Sequence, residues 1–153
     1  MENFLTINEN IESEITVKKS KFICNLIKIE TQEEAEDQIK KIKKKYHDAR
    51  HNCVAYRVQE NDTIVEKASD DGEPSGTAGG PMLNILQKNN LCNVLVVVTR
   101  YFGGILLGTG GLVRAYSEVT QQAIEKSTKV IKVIGREMII ELDYSNLEKF
   151  KYY

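Results

Sequence analysis

The chain is poor in the residue types that most often mark a metal site, a disulfide framework or a membrane segment. It has no tryptophan, two prolines, two histidines and three cysteines among 153 residues. The cysteines are far apart and form no C-x-x-C pair, so we expect no zinc site and a reduced, cytoplasmic protein. The longest apolar run, Val94–Val98, is far shorter than the stretch of about 20 residues that spans a bilayer. The sequence therefore predicts no membrane segment.

Net charge gives no indication of a partner. Charged residues make up 28% of the chain and nearly cancel, which leaves a net charge of -1. Hydrophobic residues make up 41%, enough to bury a core, and the length suits one domain or one domain with a fragment of another. Any affinity for nucleic acid must therefore come from local patches of charge.

The apolar pattern predicts a mixed chain of strands and helices. Thr31 and Glu34 have the spacing of a capping box at the start of the first helix. Pro81 suits the first turn of the second helix, where its missing N–H is not needed. In chain order we predict strands Ile11–Val17 and Lys21–Ile29, a helix from about Thr31 to Tyr46, strands Cys53–Val58 and Thr63–Lys67, a loop Ser69–Gly80, a helix Pro81–Lys88, a strand Asn93–Val98 buried on both faces, a loop Thr99–Gly108 and a helix Thr109–Glu125.

Five lysines crowd the end of the first predicted helix. They are Lys40, Lys41, Lys43, Lys44 and Lys45. Cations near a helix C-terminus interact favourably with the helix dipole, and this explanation is sufficient. The sequence leaves a nucleic-acid contact open as the alternative.

The pattern changes after residue 127. Strands Lys129–Ile134 and Glu137–Leu142 are predicted there, followed by the opening of a helix at Ser145–Tyr153. Two strands and a short helix cannot bury a core alone. We therefore expect one domain over residues 1–127 and the start of a truncated second domain over 128–153. Its exposed edge would pair with another chain, which predicts a homodimer.

Nine of the ten glycines, and both prolines, lie between residues 72 and 111. This concentration indicates unusual backbone angles or close backbone approach in one place. It defines two glycine-rich segments, Ser69–Pro81 and Thr99–Arg114, which we expect to form one binding surface.

The first segment is acidic. Asp70, Asp71 and Glu73 lie within four positions, so their mutual repulsion must be offset. We expect a bridge to Arg100 or Arg114 of the second segment. A hard cation such as magnesium held by Asp70 and Asp71 is the rival interpretation.

Two hydroxyls in the first segment are candidates for a nucleophile. Ser75 and Thr77 have His51 as the nearest histidine in sequence, but no nucleophile-elbow pattern accompanies them. A triad therefore stays open without support, and no catalytic residue is assigned.

The second segment follows a buried strand and runs into a helix, a position that suits an anion. Gly103 and Gly108 have P-loop spacing, but Thr109 and Gly110 follow in place of Lys-Ser/Thr. A G-x-G-x-x-G motif begins at Gly108 and fails at its third glycine. A nucleotide-binding loop of either type is therefore not expected.

What remains in the second segment is a set of groups that suit RNA. Glycines permit close backbone approach, arginines offer charge, and aromatic rings offer flat faces for stacking or for core packing. The candidate binding residues here are Arg100, Tyr101, Phe102, Gly103, Gly104, Gly108, Thr109, Gly110, Gly111 and Arg114.

Three motifs resemble the YigZ/IMPACT family: HDARHNCVAYRV around His51, SDDGEPSGTAGGP, and VVVTRYFGGILLGTGGLVRAY. The resemblance runs from about Ser20 to about Lys126. It implies an α+β fold, a two-layer α/β sandwich like a ribosomal small-subunit protein domain and domain IV of elongation factor G, with a left-handed βαβ crossover. Family members carry a ferredoxin-like C-terminal domain, and Glu137–Tyr144 resembles its first strand.

The resemblance also implies a function. Eukaryotic relatives regulate translation under amino-acid starvation by competing for an activator of a translation-factor kinase, and they act as binding proteins. We therefore expect a non-enzymatic cytoplasmic protein without a cofactor or metal, contacting RNA, a phosphate-like anion or a ribosome-associated partner. A metal-assisted hydrolase or transferase acting on a phosphorylated small molecule, and a protein–protein interaction module, are the alternatives.

Overall fold

The computed structural model describes residues 3–133 and 136–139. These form eight strands and three helices. In chain order they are β1 (Phe4–Ile7), β2 (Ile11–Val17), β3 (Ser20–Lys28), α1 (Gln32–Lys45), β4 (His51–Glu60), β5 (Thr63–Ser69), α2 (Gly79–Lys88), β6 (Val94–Tyr101), α3 (Gly108–Lys126), β7 (Lys129–Val133) and β8 (Arg136–Ile139).

The main sheet has five strands in the order β2-β3-β6-β4-β5, and every neighbouring pair is antiparallel. The central strand β6 is buried along almost its whole length, as its unbroken apolar sequence predicts. Since β3 and β4 both run antiparallel to β6, they are parallel to each other, and α1 connects them. The chain thus contains a βαβ crossover, whose left-handedness stays a prediction.

Helices cover both faces of this sheet. On one face, Ala35, Ile39 and Ile42 of α1 pack against apolar side chains of β4 and β6. On the other face, α2 and α3 pack against the alternate residues of the same strands. The mixed α+β class is confirmed. The sandwich has three layers where we expected two, because β6 has apolar side chains on both sides and each face requires a cover. The likeness to domain IV of elongation factor G stays a prediction.

The predicted capping box is formed on one side only. The Thr31 hydroxyl accepts a hydrogen bond from the Glu34 backbone N–H at 3.0 Å, whereas the Glu34 carboxylate accepts from the backbone N–H of Glu30 in place of that of Thr31. The predicted loop Thr99–Gly108 is wrong at its start. Thr99, Arg100 and Tyr101 continue β6, because β3 and β4 flank it and satisfy its backbone groups as far as Tyr101. This extension places Arg100 inside the sheet.

A second sheet of three strands has the order β1-β7-β8. The strand β1 was missed in the sequence, where its four residues are too short to show a period. It pairs antiparallel with β7, and Leu5 and Ile7 pack into the same core as α2 and α3. The division into two domains at residue 127 stays a prediction. The predicted helix Ser145–Tyr153 and residues 140–142 of the last predicted strand lie outside the described residues.

None of the helices in the described part of the chain has the length and apolar character needed to cross a bilayer.

Two glycines of the second segment differ sharply in their surroundings. A Cβ on Gly103 would lie 2.0 Å from the carbonyl oxygen of Lys19, so the β2–β3 turn rests directly on this position. At Gly110, in the first turn of α3, an added Cβ would meet nothing within 4 Å. Close packing therefore requires glycine at residue 103 and does not require it at residue 110.

We predict that Gly103→Ala destabilises the fold by about 1–3 kcal/mol, because backbone must move to admit the methyl group. Gly110→Ala, the matched control, should raise stability by about 0.5–1 kcal/mol, since alanine favours the helix. Urea denaturation followed by circular dichroism measures both. Equal stability of the two variants would contradict the close contact at Gly103.

Candidate functional site

The two glycine-rich segments are joined by a buried ion pair. The Arg100 guanidinium donates from Nε and Nη2 to the two carboxylate oxygens of Glu73, at 2.7 and 2.8 Å. The exposed fractions of the two side chains are 10% for Arg100 and 1% for Glu73. The Tyr116 hydroxyl of α3 donates a further hydrogen bond to Glu73 at 2.5 Å. The bridge predicted between the segments exists, and of the three acids Glu73 is the one that binds an arginine.

Strand register explains why Arg100 meets these partners. On β6 it lies between Phe22 of β3 and His51 of β4. Residues opposite one another on neighbouring strands point to the same face, here the face covered by α3. Phe22 packs edge-on against Tyr116 with ring centroids 5.2 Å apart. The guanidinium carbon lies 6.0 Å from the centre of the Phe22 ring.

The protein surroundings raise the pKa values of Arg100 and Tyr116, so that each side chain keeps one protonation state. Burial acts to lower the pKa of Arg100, but the hydrogen bonds and the charge of Glu73 outweigh burial and raise this pKa. Burial, with the neighbouring Cys53 and Glu73, raises the pKa of Tyr116 well above its ordinary value. Arg100 therefore stays cationic and Tyr116 stays a neutral donor.

His51 and Cys53 complete this group of side chains. The Nδ1 atom of His51 lies 2.9 Å from the carbonyl oxygen of Asp71, and Nε2 lies 3.6 Å from the Glu73 carboxylate. The Cys53 thiol donates to the carbonyl oxygen of Asp70 at 3.1 Å. Burial raises the pKa of this thiol to about 12, so it is not a nucleophile at neutral pH. We call His51, Cys53, Glu73, Arg100 and Tyr116 the Glu73 cluster.

Asp70 serves the backbone of its own segment. Its carboxylate accepts hydrogen bonds from the N–H groups of Gly76, Ala78 and Gly79, at 2.9, 3.1 and 2.8 Å. Burial acts to raise the pKa of Asp70, but these three donors outweigh burial and lower it. Since Gly79 opens α2 and Ala78 provides no side-chain cap, Asp70 caps this helix from nine positions before its first residue.

Asp71 also binds backbone. Its carboxylate accepts from the N–H of Asn52 at 2.8 Å and lies 3.7 Å from the Lys43 ammonium. The expectation that Asp70 and Asp71 would brace arginines is therefore wrong, because backbone amides already occupy these carboxylates. For the same reason, Asp70 and Asp71 do not offer magnesium a free pair of carboxylates. Among the described residues, no three histidine, cysteine or acidic side chains converge as metal ligands would.

The hydroxyls of the first segment do not form a triad. The Thr77 hydroxyl donates to the carbonyl oxygen of Pro74 at 2.6 Å, and Ser75 is exposed. His51 contacts Asp71 and Glu73 instead. The hydroxyl–histidine contact that a triad requires is therefore not formed within the described part of the chain.

The second segment presents an exposed apolar surface. Phe102, Ile105, Leu106 and Val113 are 49%, 42%, 82% and 37% exposed. Of the large apolar side chains that are exposed in the described ranges, only Ile64 lies elsewhere. Tyr101, by contrast, donates its hydroxyl to Asp48 at 2.7 Å, and this hydrogen bond raises the pKa of Tyr101 to about 12.

Cations border this apolar surface. The β2–β3 turn, with exposed Lys18 and Lys19, touches the loop at Gly103. Arg114 is exposed on the second turn of α3 and does not reach the acidic segment. We call Lys18, Lys19, Phe102, Ile105, Leu106, Val113 and Arg114 the Phe102 surface. A cavity of about 180 Å³ opens beside it, lined by Val17, Lys18, Leu107, Gly111, Arg114, Ala115 and Glu118.

The start of α3 provides backbone donors at this surface. Among the described residues no side chain caps the helix, and its first turn contains no acidic residue. Gly104 and Gly108 have φ values of +91° and +77°, which favour glycine. The first-turn residues Thr109 and Gly110 are exposed. This arrangement can accept negative charge, as predicted, although the binding role of these residues stays a prediction.

Tyr116 was not among the candidate site residues that the sequence indicated. A buried tyrosine needs a partner for its hydroxyl, and this requirement was the available signal. Cys53, Lys18 and Lys19 could not be found, since only the strand pairing brings them to the two segments.

Comparison with known proteins identifies the class. Residues 18–124 match the Impact N-terminal domain. The IMPACT family member YvyE of Bacillus subtilis is 47% identical over 151 residues, which cover 99% of this chain and 69% of that protein. The family member YigZ of Escherichia coli is 41% identical over 86% of this chain and 65% of its own length. The chain belongs to the IMPACT family.

A solved structure supports the fold. A crystal structure of a hypothetical protein matches with a TM-score of 0.82 and 40% identity, covering 87% of this chain and 65% of that one. The chain thus spans about two thirds of the length of the relatives it resembles.

We predict that Glu73→Gln destabilises the protein by about 3 kcal/mol or more, because Arg100 would keep its charge without a carboxylate. Tyr116→Phe, which removes one donor to Glu73, should cost about 1–2 kcal/mol. Glu118→Gln, an exposed carboxylate on the same helix, is the control and should change stability by less than about 0.5 kcal/mol. Urea midpoints at constant slope measure all three. Equal effects of Glu73→Gln and Glu118→Gln would contradict a structural role for the pair.

A second prediction concerns acid. Because the folded state lowers the pKa of Asp70 from its ordinary value of 3.8, its stabilisation is complete above that value and is lost as pH falls through the folded pKa. At neutral pH, Asp70→Asn should cost about 1 kcal/mol. The difference in stability between Asp70→Asn and wild type should vanish below the folded pKa of Asp70, where the wild-type carboxyl is also protonated. Thermal melting across pH measures it, with exposed Asp37→Asn as the control. A difference that does not depend on pH would refute the assignment.

Proposed function

We propose that this protein is a non-enzymatic binding protein of translation in the cytoplasm, and that it contacts RNA, free or within the ribosome, through the Phe102 surface. The link to translation rests on membership of the IMPACT family. The choice of surface rests on one observation, the concentration of exposed apolar side chains beside cations in the second glycine-rich segment.

The chemistry of the Phe102 surface suits single-stranded RNA. Bases stack on exposed aromatic rings, and stacking tolerates any sequence. The guanidinium carbon of Arg100 lies 5.8 Å from the centre of the Phe102 ring, which supports this ring from the protein side. Lys18, Lys19 and Arg114 would contact phosphates, and the open start of α3 adds backbone donors for an anion.

The Glu73 cluster acts as a support in this proposal. Its charges are paired and buried, so none is available to a ligand. It holds the end of β6 against α3, and the exposed loop lies between these two elements. Preorganisation of this kind reduces the entropy lost when a partner binds.

One observation favours a protein partner as a second candidate. Ile105 and Leu106 are aliphatic, and Leu106 at 82% exposure is the most exposed large apolar side chain in the described residues. A contiguous group of exposed apolar side chains is typical of a protein-interaction site, and aliphatic side chains offer no ring on which a base can stack. Pairing of two copies through β8, the outer strand of the described three-stranded sheet, would be a further protein contact.

We predict that the protein binds single-stranded RNA and ribosomes, with affinity that falls steeply as salt rises. Phe102→Ala should weaken RNA binding about fivefold or more, since a stacked base contributes about 1–3 kcal/mol. Ile64→Ala is the matched control, because Ile64 has similar exposure, 47% against 49%, and lies on the edge strand β5. Fluorescence anisotropy at several salt concentrations measures each affinity.

Absence of RNA binding at low salt, or equal effects of the two substitutions, would overturn the RNA assignment. A partner from lysate that survives nuclease treatment and is lost in Leu106→Ser would favour the protein candidate in its place.

A further inference from the structure

The exposed side of α1 carries a second cationic surface that the Phe102 surface does not include. Successive residues of an α-helix turn by about 100°. The buried stripe of Ala35, Ile39 and Ile42 faces the sheet, so Lys40, Lys41 and Lys44 point away from it. All three side chains are exposed. We call these three residues the lysine face.

The helix dipole, which we expected to explain all five lysines, accounts for only Lys44 of the lysine face. Its favourable effect is confined to the last turn, which contains Lys43, Lys44 and Lys45. Lys40 and Lys41 lie one turn earlier. Lys40 and Lys44, and also Lys41 and Lys45, are four residues apart, a spacing at which like charges repel on a helix.

Carboxylates of α1 compensate the lysine face only in part, since exposed Asp37 lies four residues before Lys41 and Glu36 lies four residues before Lys40. Among the five lysines at this end of α1, the described ion pairs include only Lys43, which has Asp71 at 3.7 Å. The Lys67 ammonium at 2.9 Å and the Tyr56 hydroxyl at 3.1 Å bind Glu36 directly, and Lys40 acts on Glu36 only through its charge. With three lysines and the single exposed carboxylate of Asp37 on this side of α1, the face keeps a net positive charge that an external anion would neutralise.

The character of the lysine face indicates a polyanion without apolar anchors. The exposed large apolar side chains of the described chain lie on β5, in the second segment and on α3, and none is on α1. An amphipathic acidic peptide would need such side chains, and stable attachment to a membrane requires an apolar anchor beside a basic patch. The apolar stripe of α1 is buried against the sheet and cannot insert into lipid.

The lysine face and the Phe102 surface lie at the same end of the sheet. Tyr101 precedes Phe102, and its hydroxyl bonds to Asp48, three residues beyond the end of α1. Exposed Arg50 follows Asp48 in the same connection. One strand of nucleic acid can therefore cross this end of the sheet and meet both surfaces.

Building on the proposed function, we infer that the lysine face binds the phosphate backbone of the same RNA strand whose bases meet the Phe102 surface. Lys41 and Lys44 contribute charge without sequence preference, and Phe102 contributes stacking. Phosphate contacts from α1 then account for most of the salt dependence of RNA binding. Stacking on Phe102, in the loop between β6 and α3, explains why binding tolerates any base sequence.

The test compares two double variants that remove equal charge. K41Q/K44Q alters the lysine face, and K88Q/K126Q removes exposed lysines from the last turns of α2 and α3, where the dipole effect is the same. The probe is a fluorescein-labelled single-stranded RNA of mixed sequence. K41Q/K44Q should bind it about tenfold more weakly at roughly 0.1 M salt, and the slope of log affinity against log salt should shrink by about 1.4. K88Q/K126Q should match wild type, and K41R/K44R should restore binding.

Three outcomes would overturn the inference. They are equal weakening by the two double variants, an unchanged salt slope in K41Q/K44Q, and displacement of RNA by polyglutamate as effectively as by unlabelled RNA. If K41Q/K44Q binds normally while Phe102→Ala does not, the inference fails and the proposed function stands. Loss in K41Q/K44Q with normal binding by Phe102→Ala would leave the lysine face as an RNA site and remove the role of Phe102. Thermal melting checks the fold, and K41Q/K44Q should differ from wild type by less than about 0.5 kcal/mol per substitution because both side chains are exposed.

Discussion

The bidentate ion pair between Glu73 and Arg100 is the interaction on which the arrangement of this domain depends. It connects a glycine-rich loop to the central strand and, through Tyr116, to the long helix α3. Burial of two charges costs free energy that is recovered only when each charge is fully partnered. The geometry meets this requirement, since Glu73 accepts from Arg100 at both oxygens and from Tyr116 as well.

The ion pair explains why the two glycine-rich segments have different characters. The first segment is acidic because its carboxylates bind backbone N–H groups that have no secondary-structure partner, and because one carboxylate neutralises a buried cation. Asp70 caps α2, Asp71 binds the start of β4, and Glu73 neutralises Arg100. Because these three carboxylates are bound within the protein, the groups available to a partner are the exposed apolar and cationic side chains of the second segment.

Sequence patterns were most informative where the structure is local. The apolar run of β6 and the N-cap at Thr31 depend on neighbours in the chain, and both were predicted. The C-terminal limit of β6 was not predicted. Pairing with β3 and β4 keeps Thr99 to Tyr101 in the strand, and such pairing has no local signature in the sequence. The short strand β1 was missed for the same reason, since its partner β7 lies more than a hundred residues away.

The two glycine-rich segments show which features the sequence predicts and which depend on the tertiary structure. The sequence alone determined that they differ in charge and that the second is a strand-to-helix connection, and it predicted a bridge between an acid of the first and an arginine of the second. Only the tertiary structure decided that the acid is Glu73 and the arginine Arg100, and that Arg114 faces solvent instead. The physical reason is that partner choice inside a core depends on register and burial. Arg100 points towards α3 because it lies opposite Phe22 and His51, and a buried cation there must be paired, whereas exposed Arg114 is solvated by water.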